Sequence, residues 1–247
     1  MQNSGMHYFP VAWPFLLALF LLFSIIVLLV ELKILRYAYV RMGIPPRYIF
    51  AILLLTLLGS SINIPLTQLP PERVVSGKVV HSNGMRYVVP QVREWPGTVL
   101  AINVGGALIP IIISLYLTRK NRLLGPAILA VALVAIVTHT MARPVRGVGI
   151  TVPIFIPPLI AAVVALLLSW RRAAPLAYVA GSIGTLIGAD LLNLNKVRGL
   201  GAPVASIGGA GTFDGVFLVG IVAVLLASLL APRSAPEPQP WRPVQRF

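Results

Sequence analysis

Residues 11–30 read VAWPFLLALFLLFSIIVLLV. Twenty residues without a charge are the length a helix needs to cross the ~30 Å hydrocarbon core of a bilayer, at 1.5 Å of rise per residue. A soluble domain does not use such a run, and six comparable ones follow. Hydrophobic residues make up 57% of the 247-residue chain and charged residues 11%, well below the charge content of soluble domains. A membrane barrel would instead show short alternating strands, and these runs do not alternate. The fold class expected is an all-α polytopic membrane protein.

Outward from that run, the spans are expected at about 11–30, 48–66, 98–117, 124–140, 150–170, 174–194 and 211–231, giving one transmembrane domain over residues 1–231. Residues 232–247, rich in proline, read as a disordered tail. The first 30 residues contain no Lys or Arg, so this is not a secretory signal, which needs a basic leader. Lys33, Arg36, Arg41 and Arg47 follow the first span, which favours an external N-terminus. Seven spans then place the C-terminus in the cytoplasm. On that orientation the cytoplasmic segments hold 12 Lys/Arg and the external ones 8. Between spans two and three, the valine-rich runs on either side of Asn83-Gly84 predict a small external β-hairpin.

The net charge of +14 would suggest nucleic acid in a soluble protein. Here the basic residues are spread over the loops, as topology signals and anionic headgroups require, and no basic block is interleaved with stacking aromatics. The bilayer is the expected partner, and nucleic acid is not. There is no cysteine, which removes disulfides, thiolate metal sites and cysteine nucleophiles. His7, His81 and His139 lie in no metal-ligand spacing, so no metal and no cofactor is assigned.

Only six residues are acidic, and two of them, Asp190 and Asp214, fall in the stretch Gly188–Gly215. An acid at the edge of a lipid-facing segment is costly without a partner, which makes each a candidate site residue. Asp190 is expected near the last turn of span six, where the helix dipole disfavours a negative charge; Asp214 is expected in the first turn of span seven, where it is favoured. Carboxylates in opposed environments suit general acid and general base work. The expected topology brings Asn63, Asn103, His139, Arg143, Asn193 and Thr212 to the same membrane face, as candidates to orient substrate or stabilise developing charge. The Gly-rich run Gly208–Gly211 can cradle an anion with backbone N–H groups, or let two helices approach closely.

Several stretches, IGADLLNL (187–194), ASIGGAGTFDGVFLVGI (205–221), INVGGALIP (102–110) and RPVRGVGI (143–150), resemble a prokaryotic family of multi-pass membrane proteins known as domain of unknown function 1614. The resemblance covers span two to span seven. It implies a prokaryotic inner or plasma membrane location and carries no activity with it. A weaker likeness is to the intramembrane aspartyl proteases, which pair two aspartates on adjacent spans. Asp190 follows Gly188-Ala189 and Asp214 follows Thr212-Phe213, so neither forms the Gly-x-Gly-Asp motif of those enzymes, and their Pro-Ala-Leu signature is absent.

Three functions are therefore expected in competition. One is a membrane-embedded hydrolase with Asp190 and Asp214 as a water-activating pair, acting on a membrane peptide or a lipid-linked compound. The second is a transporter or binding protein for an ion or small polar solute, for which proline-broken spans and intramembrane acids are suited. The third is a structural or assembly role for other membrane proteins.

Overall fold

The computed structural model describes residues 13–82, 85–145, 149–197, 202–209 and 215–231. The expected tail (232–247) and the hairpin turn Asn83-Gly84 lie outside the described residues, as do residues 11 and 12 of the first run. The chain divides between Tyr37 and Ala38 into two units.

The first unit is most of helix α1 (Trp13–Arg41). Its large apolar side chains are exposed on all sides, Leu21, Leu22, Phe23 and Ile25 among them. A helix apolar all round is suited to a membrane or to the centre of a large core.

The second unit is built from six further helices: α2 (Pro46–Ser60), α3 (Ile109–Lys120), α4 (Leu124–Met141), α5 (Ile156–Leu168), α6 (Ala173–Thr185) and α7 (Gly215–Leu230). Helix α6 is the pillar. Twelve of its 13 residues are buried, and α3, α4, α5 and α7 pack around it. Its sequence, AAPLAYVAGSIGT, explains the position: small side chains let neighbouring backbones come close on every face. Just beyond it, Gly188 lies so near the Ala135 carbonyl of α4 that any β-carbon would collide with it. The outward faces of the surrounding helices are apolar and bare, with Phe50 on α2 72%, Leu167 on α5 80% and Leu229 on α7 79% exposed. An apolar surface of this extent calls for a partner or a lipid phase. Two helical stretches, Leu124–Met141 and Trp170–Lys196, are long and apolar enough to cross a membrane; α2, α5 and α7 are apolar but shorter.

All the strands lie at one end of these helices. Strand β1 (Asn63–Gln68) follows α2, and β4 (Val99–Asn103) precedes α3. Between them β2 (Glu72–Ser82) and β3 (Met85–Trp95) pair with each other in antiparallel register. Strands β5 (Arg143–Val145) and β6 (Gly149–Thr151) form a short ribbon between α4 and α5, and β7 (Val204–Ile207) comes between α6 and α7. Strand β4 is the middle of a mixed three-stranded sheet. It runs antiparallel to β1, with Asn63 opposite Asn103, and parallel to β7, with Ile102 opposite Ile207.

The mixed sheet corrects the all-α expectation. Residues 48–66 and 98–117 were expected to be helical throughout, yet each is part helix and part strand. Pro65 has no N–H to give a helix and blocks the preceding turn, and Ile62 and Ile64 favour extended backbone, so α2 stops at Ser60. Pro65 then sits on an edge strand, at a register shift, where a missing donor is tolerated. On the other side, Val99 and Ile102 precede the pair Gly105-Gly106, which weakens a helix start. The 174–194 span is also subdivided. Regular helix ends at Thr185, a wide π turn covers Leu186–Asp190, and a tight 3₁₀ turn covers Leu191–Lys196. A second π turn, Val104–Leu108, joins β4 to α3.

At the opposite end, cations close the helices. Arg41 donates to the Ser228 and Ala231 carbonyls at the end of α7, at 3.2 and 2.9 Å. Lys120 donates to the Gly43 carbonyl just past α1, at 2.6 Å. Arg172 donates to the Asn121 carbonyl at the end of α3, at 2.5 Å. Each cation satisfies a helix C-terminus, where orphan carbonyls and the dipole both favour positive charge.

Candidate functional site

Asn103 is the most constrained polar residue at the sheet end. It is completely buried, and both halves of its amide are used. Its Nδ2 donates to the Ser60 carbonyl at 2.7 Å and to Asn63 Oδ1 at 3.1 Å, while its Oδ1 accepts from the Gly106 N–H at 2.7 Å. It thus closes the end of α2 and opens the π turn before α3 with one side chain. The close approach requires Gly105, whose missing β-carbon leaves room for the Thr56 carbonyl and the Ser60 backbone. Asn63 extends the network. Its Oδ1 also accepts from Ser206 Oγ at 2.5 Å, so one oxygen ties β1 to both β4 and β7. Asn63 itself faces out and is exposed.

Asp190 ends the second π turn and is half-buried. Its Oδ2 accepts from the Gly208 N–H at 2.7 Å. Gly208 has φ +92°, and a β-carbon there would stand 2.6 Å from the Ala107 nitrogen. Only glycine gives both the left-handed backbone and the close contact. A negative charge at the end of a helix is disfavoured by the helix dipole, and the backbone N–H offsets that cost. The glycine turn expected as an anion cradle therefore presents the Gly208 N–H to the protein's own carboxylate.

The two π turns meet in one small core. Ala107 from the first, Leu186 from the second, Ile207 from β7 and Val216 from α7 pack together. Asn103, Asn63 and Asp190 are thus brought to one end of the bundle, linked through β7: Ser206 reaches Asn63 and Gly208 reaches Asp190. Asn193 turns inward instead. Its Nδ2 donates to the Gly188 and Ala189 carbonyls, at 2.8 and 3.0 Å, released where α6 breaks, while its Oδ1 is buried without a partner. His139, near the end of α4, keeps a buried Nδ1 with no partner. Arg143 is exposed on β5, with its carbonyl accepting from Thr151 Oγ1. Helix α4 and strand β6 both border the second π turn. Asp214 and Thr212 lie outside the described residues. Among the described residues, no three His, Cys, Asp or Glu side chains gather in a way that could hold a metal.

Sequence reasoning passed over Ser206 as a site residue, because nothing local announces that β7 pairs with a strand a hundred residues earlier. It also passed over Tyr178, Ser182 and Thr185 on α6, which are buried with hydroxyls that have no protein partner. Their spacing of four and three residues is the signal that marks a common helix face.

This geometry can be set beside known proteins. A family model described as protein of unknown function (DUF1614) matches residues 57–226. The chain belongs to that family. No curated protein and no solved structure matches it. The DUF1614 match begins in the last turn of α2 and ends within α7, so it takes in the mixed sheet, both π turns and Asp190, and leaves out α1.

Chemically, the described residues at this end offer the Asp190 carboxylate, oxygen-bearing amide and hydroxyl side chains, and backbone carbonyls freed where α6 breaks. That donor set suits an ammonium group, a hard cation or a small polar solute.

Proposed function

We propose that the chain is a multi-pass membrane protein that binds and carries a small polar or cationic solute, with Asp190 as its charged contact and Asn63, Asn103 and Ser206 as its polar frame. The observation that carries this reading is the meeting of two π turns, Val104–Leu108 and Leu186–Asp190, in one cluster. π turns within helices recur at functional sites. Carriers place discontinuous helices around a solute because broken backbone offers carbonyls and N–H groups that a continuous helix keeps to itself. On this reading the sheet end faces outward, and the cationic end faces the cytoplasm.

Thermal unfolding of the detergent-purified protein tests it, with sodium, potassium, ammonium and the free amino acids each as probe. At least one probe should raise the unfolding temperature of the wild type by several degrees and leave Asp190→Asn unmoved. Equal responses from both proteins, or none from either, would refute the assignment.

One observation favours a second reading, the aspartate-pair hydrolase acting on a membrane peptide or lipid-linked compound. Asp190 is hydrogen-bonded to Gly208, in the same connection that leads to Asp214, and Val216 packs with Leu186 one turn from Asp190. On this reading Asp190 and Asp214 share a water. Asp190→Asn and Asp214→Asn should then each abolish cleavage of a labelled membrane peptide without unfolding the protein. Full activity in either variant would end the pair mechanism.

A further inference from the structure

Helix α6 carries a line of buried hydroxyls with no partner in the protein. Tyr178 and Ser182 are fully buried and Thr185 is 5% exposed; the Tyr178 and Ser182 hydroxyls lie near each other, and neither they nor Thr185 Oγ1 make a hydrogen bond of good geometry. Burying a hydroxyl unpaired costs on the order of 1–3 kcal/mol, and three in succession on the central helix of the bundle are not a packing convenience. Steps of four and three residues put them on one face. Tyr178 and Ser182 also converge in space: the Ser182 hydroxyl and the edge of the Tyr178 ring both press on Gly220 of α7.

The line has two termini. Toward the cationic end, the Tyr39 hydroxyl of α1 is likewise fully buried without a hydrogen bond. Toward the sheet end, a continuous α-helix would extend the face of residues 178, 182 and 185 to Ala189. The π turn at Leu186–Asp190 takes up one extra residue, which brings Asp190 round to that position. The break in α6 thereby joins the only described acid of this helix to the hydroxyl line.

We propose that this line, Tyr39–Tyr178–Ser182–Thr185–Asp190, is a proton pathway through the bundle. Successive hydroxyls on one face are separated by roughly 4.5–6 Å of axial rise, a gap that one bridging water spans, and buried polar groups without protein partners are the ones that hold such waters. Each hydroxyl accepts a proton on its oxygen and passes its own to the next, and Asp190 takes up or releases the proton at the far end, so no bond other than O–H is made or broken. The inference rests on the carrier reading above and gives it a driving ion.

The test uses the full chain in vesicles of neutral phosphatidylcholine loaded with the pH dye pyranine, with a potassium-diffusion potential imposed by valinomycin and no solute added. Wild-type vesicles should acidify at least about fivefold faster than protein-free vesicles. Ser182→Ala and Thr185→Val should bring the rate down to the protein-free level, while Thr185→Ser, which keeps a hydroxyl, should restore it. Ser114→Ala removes an equally buried, unpartnered hydroxyl from a different helix, α3, and should leave the rate unchanged. The circular dichroism spectrum and unfolding temperature of each variant report that it is folded. Wild-type rates equal to those of empty vesicles would overturn the pathway, as would full rates in Ser182→Ala and Thr185→Val or an equal loss in Ser114→Ala. The solute-dependent stabilisation described above does not use these hydroxyls, so it can survive when the pathway fails, and the two proposals fall separately.

Discussion

The two ends of the helical bundle use polarity differently. At the cationic end, Arg41, Lys120 and Arg172 each reach a carbonyl at or just past the C-terminus of a neighbouring helix. These are exposed or half-exposed bonds, and the ends of helices account for them. At the sheet end, Asn103 is completely buried and Asp190 half-buried; Asn103 joins the end of α2 to the π turn before α3, and Asp190 closes the break in α6. Capping explains the first set. It does not explain why the α6 stretch is broken at Leu186–Asp190, where it meets the π turn that opens α3. The proposed function draws on this difference, since the sheet end holds the buried polar network and the broken helix.

That contrast can be broken by measuring stabilities at both ends, by thermal or denaturant unfolding in one detergent. The largest effect is expected for Gly208→Val. A branched side chain there must adopt φ near +92° and collide with the Ala107 backbone, at a cost of roughly 3 kcal/mol or more, and it displaces the bond to Asp190. Asn103→Ala should come next. It strands the Ser60 carbonyl and the Gly106 N–H in a buried site and should cost about 2–3 kcal/mol. Asp190→Asn keeps the shape but weakens a charge-assisted bond, for a loss of about 1–2 kcal/mol, together with the loss of solute-dependent stabilisation. The smallest effect is expected for Lys120→Ala, about 0.5 kcal/mol, and raising the salt concentration should shrink it further. If Lys120→Ala proved as damaging as Asn103→Ala, the division between a capped end and a functional end would be lost.

Much of this division was legible in the sequence. Long apolar runs and scarce charge dictate a helical, lipid-suited chain, and the alternation of basic and polar run ends separates the two faces before any coordinates are known. Asn63, Asn103 and Asp190 stand out because amides and acids are expensive beside apolar runs. The strands of the mixed sheet were not legible. VLAIN and VASI are as compatible with buried helix as with strand, and what decides the matter is their pairing across more than a hundred residues, which no local pattern contains. The π turns escaped for a related reason: an extra residue in one turn leaves composition untouched and shows only as a change of face. Asn193 read as a site residue by its place near the end of a span; its amide bonds to the carbonyls that the break in α6 releases, a need that exists only once the break is known.

The parallel pairing of β4 with β7 also sets a schedule for synthesis. Strand β4 and its antiparallel neighbour β1 emerge from the ribosome early, and α3 to α6 follow them. Through that interval one edge of β4 has no partner, and Asp190, once made, must wait for Gly208. Both are completed by the short segment Val204–Ile207 and the residue that follows it. Long-range pairings of this kind close late and slowly, so a nascent chain halted before residue 204 would hold its helices with an unfinished polar end. Strand β7 thus serves as the molecule's own certificate of completion.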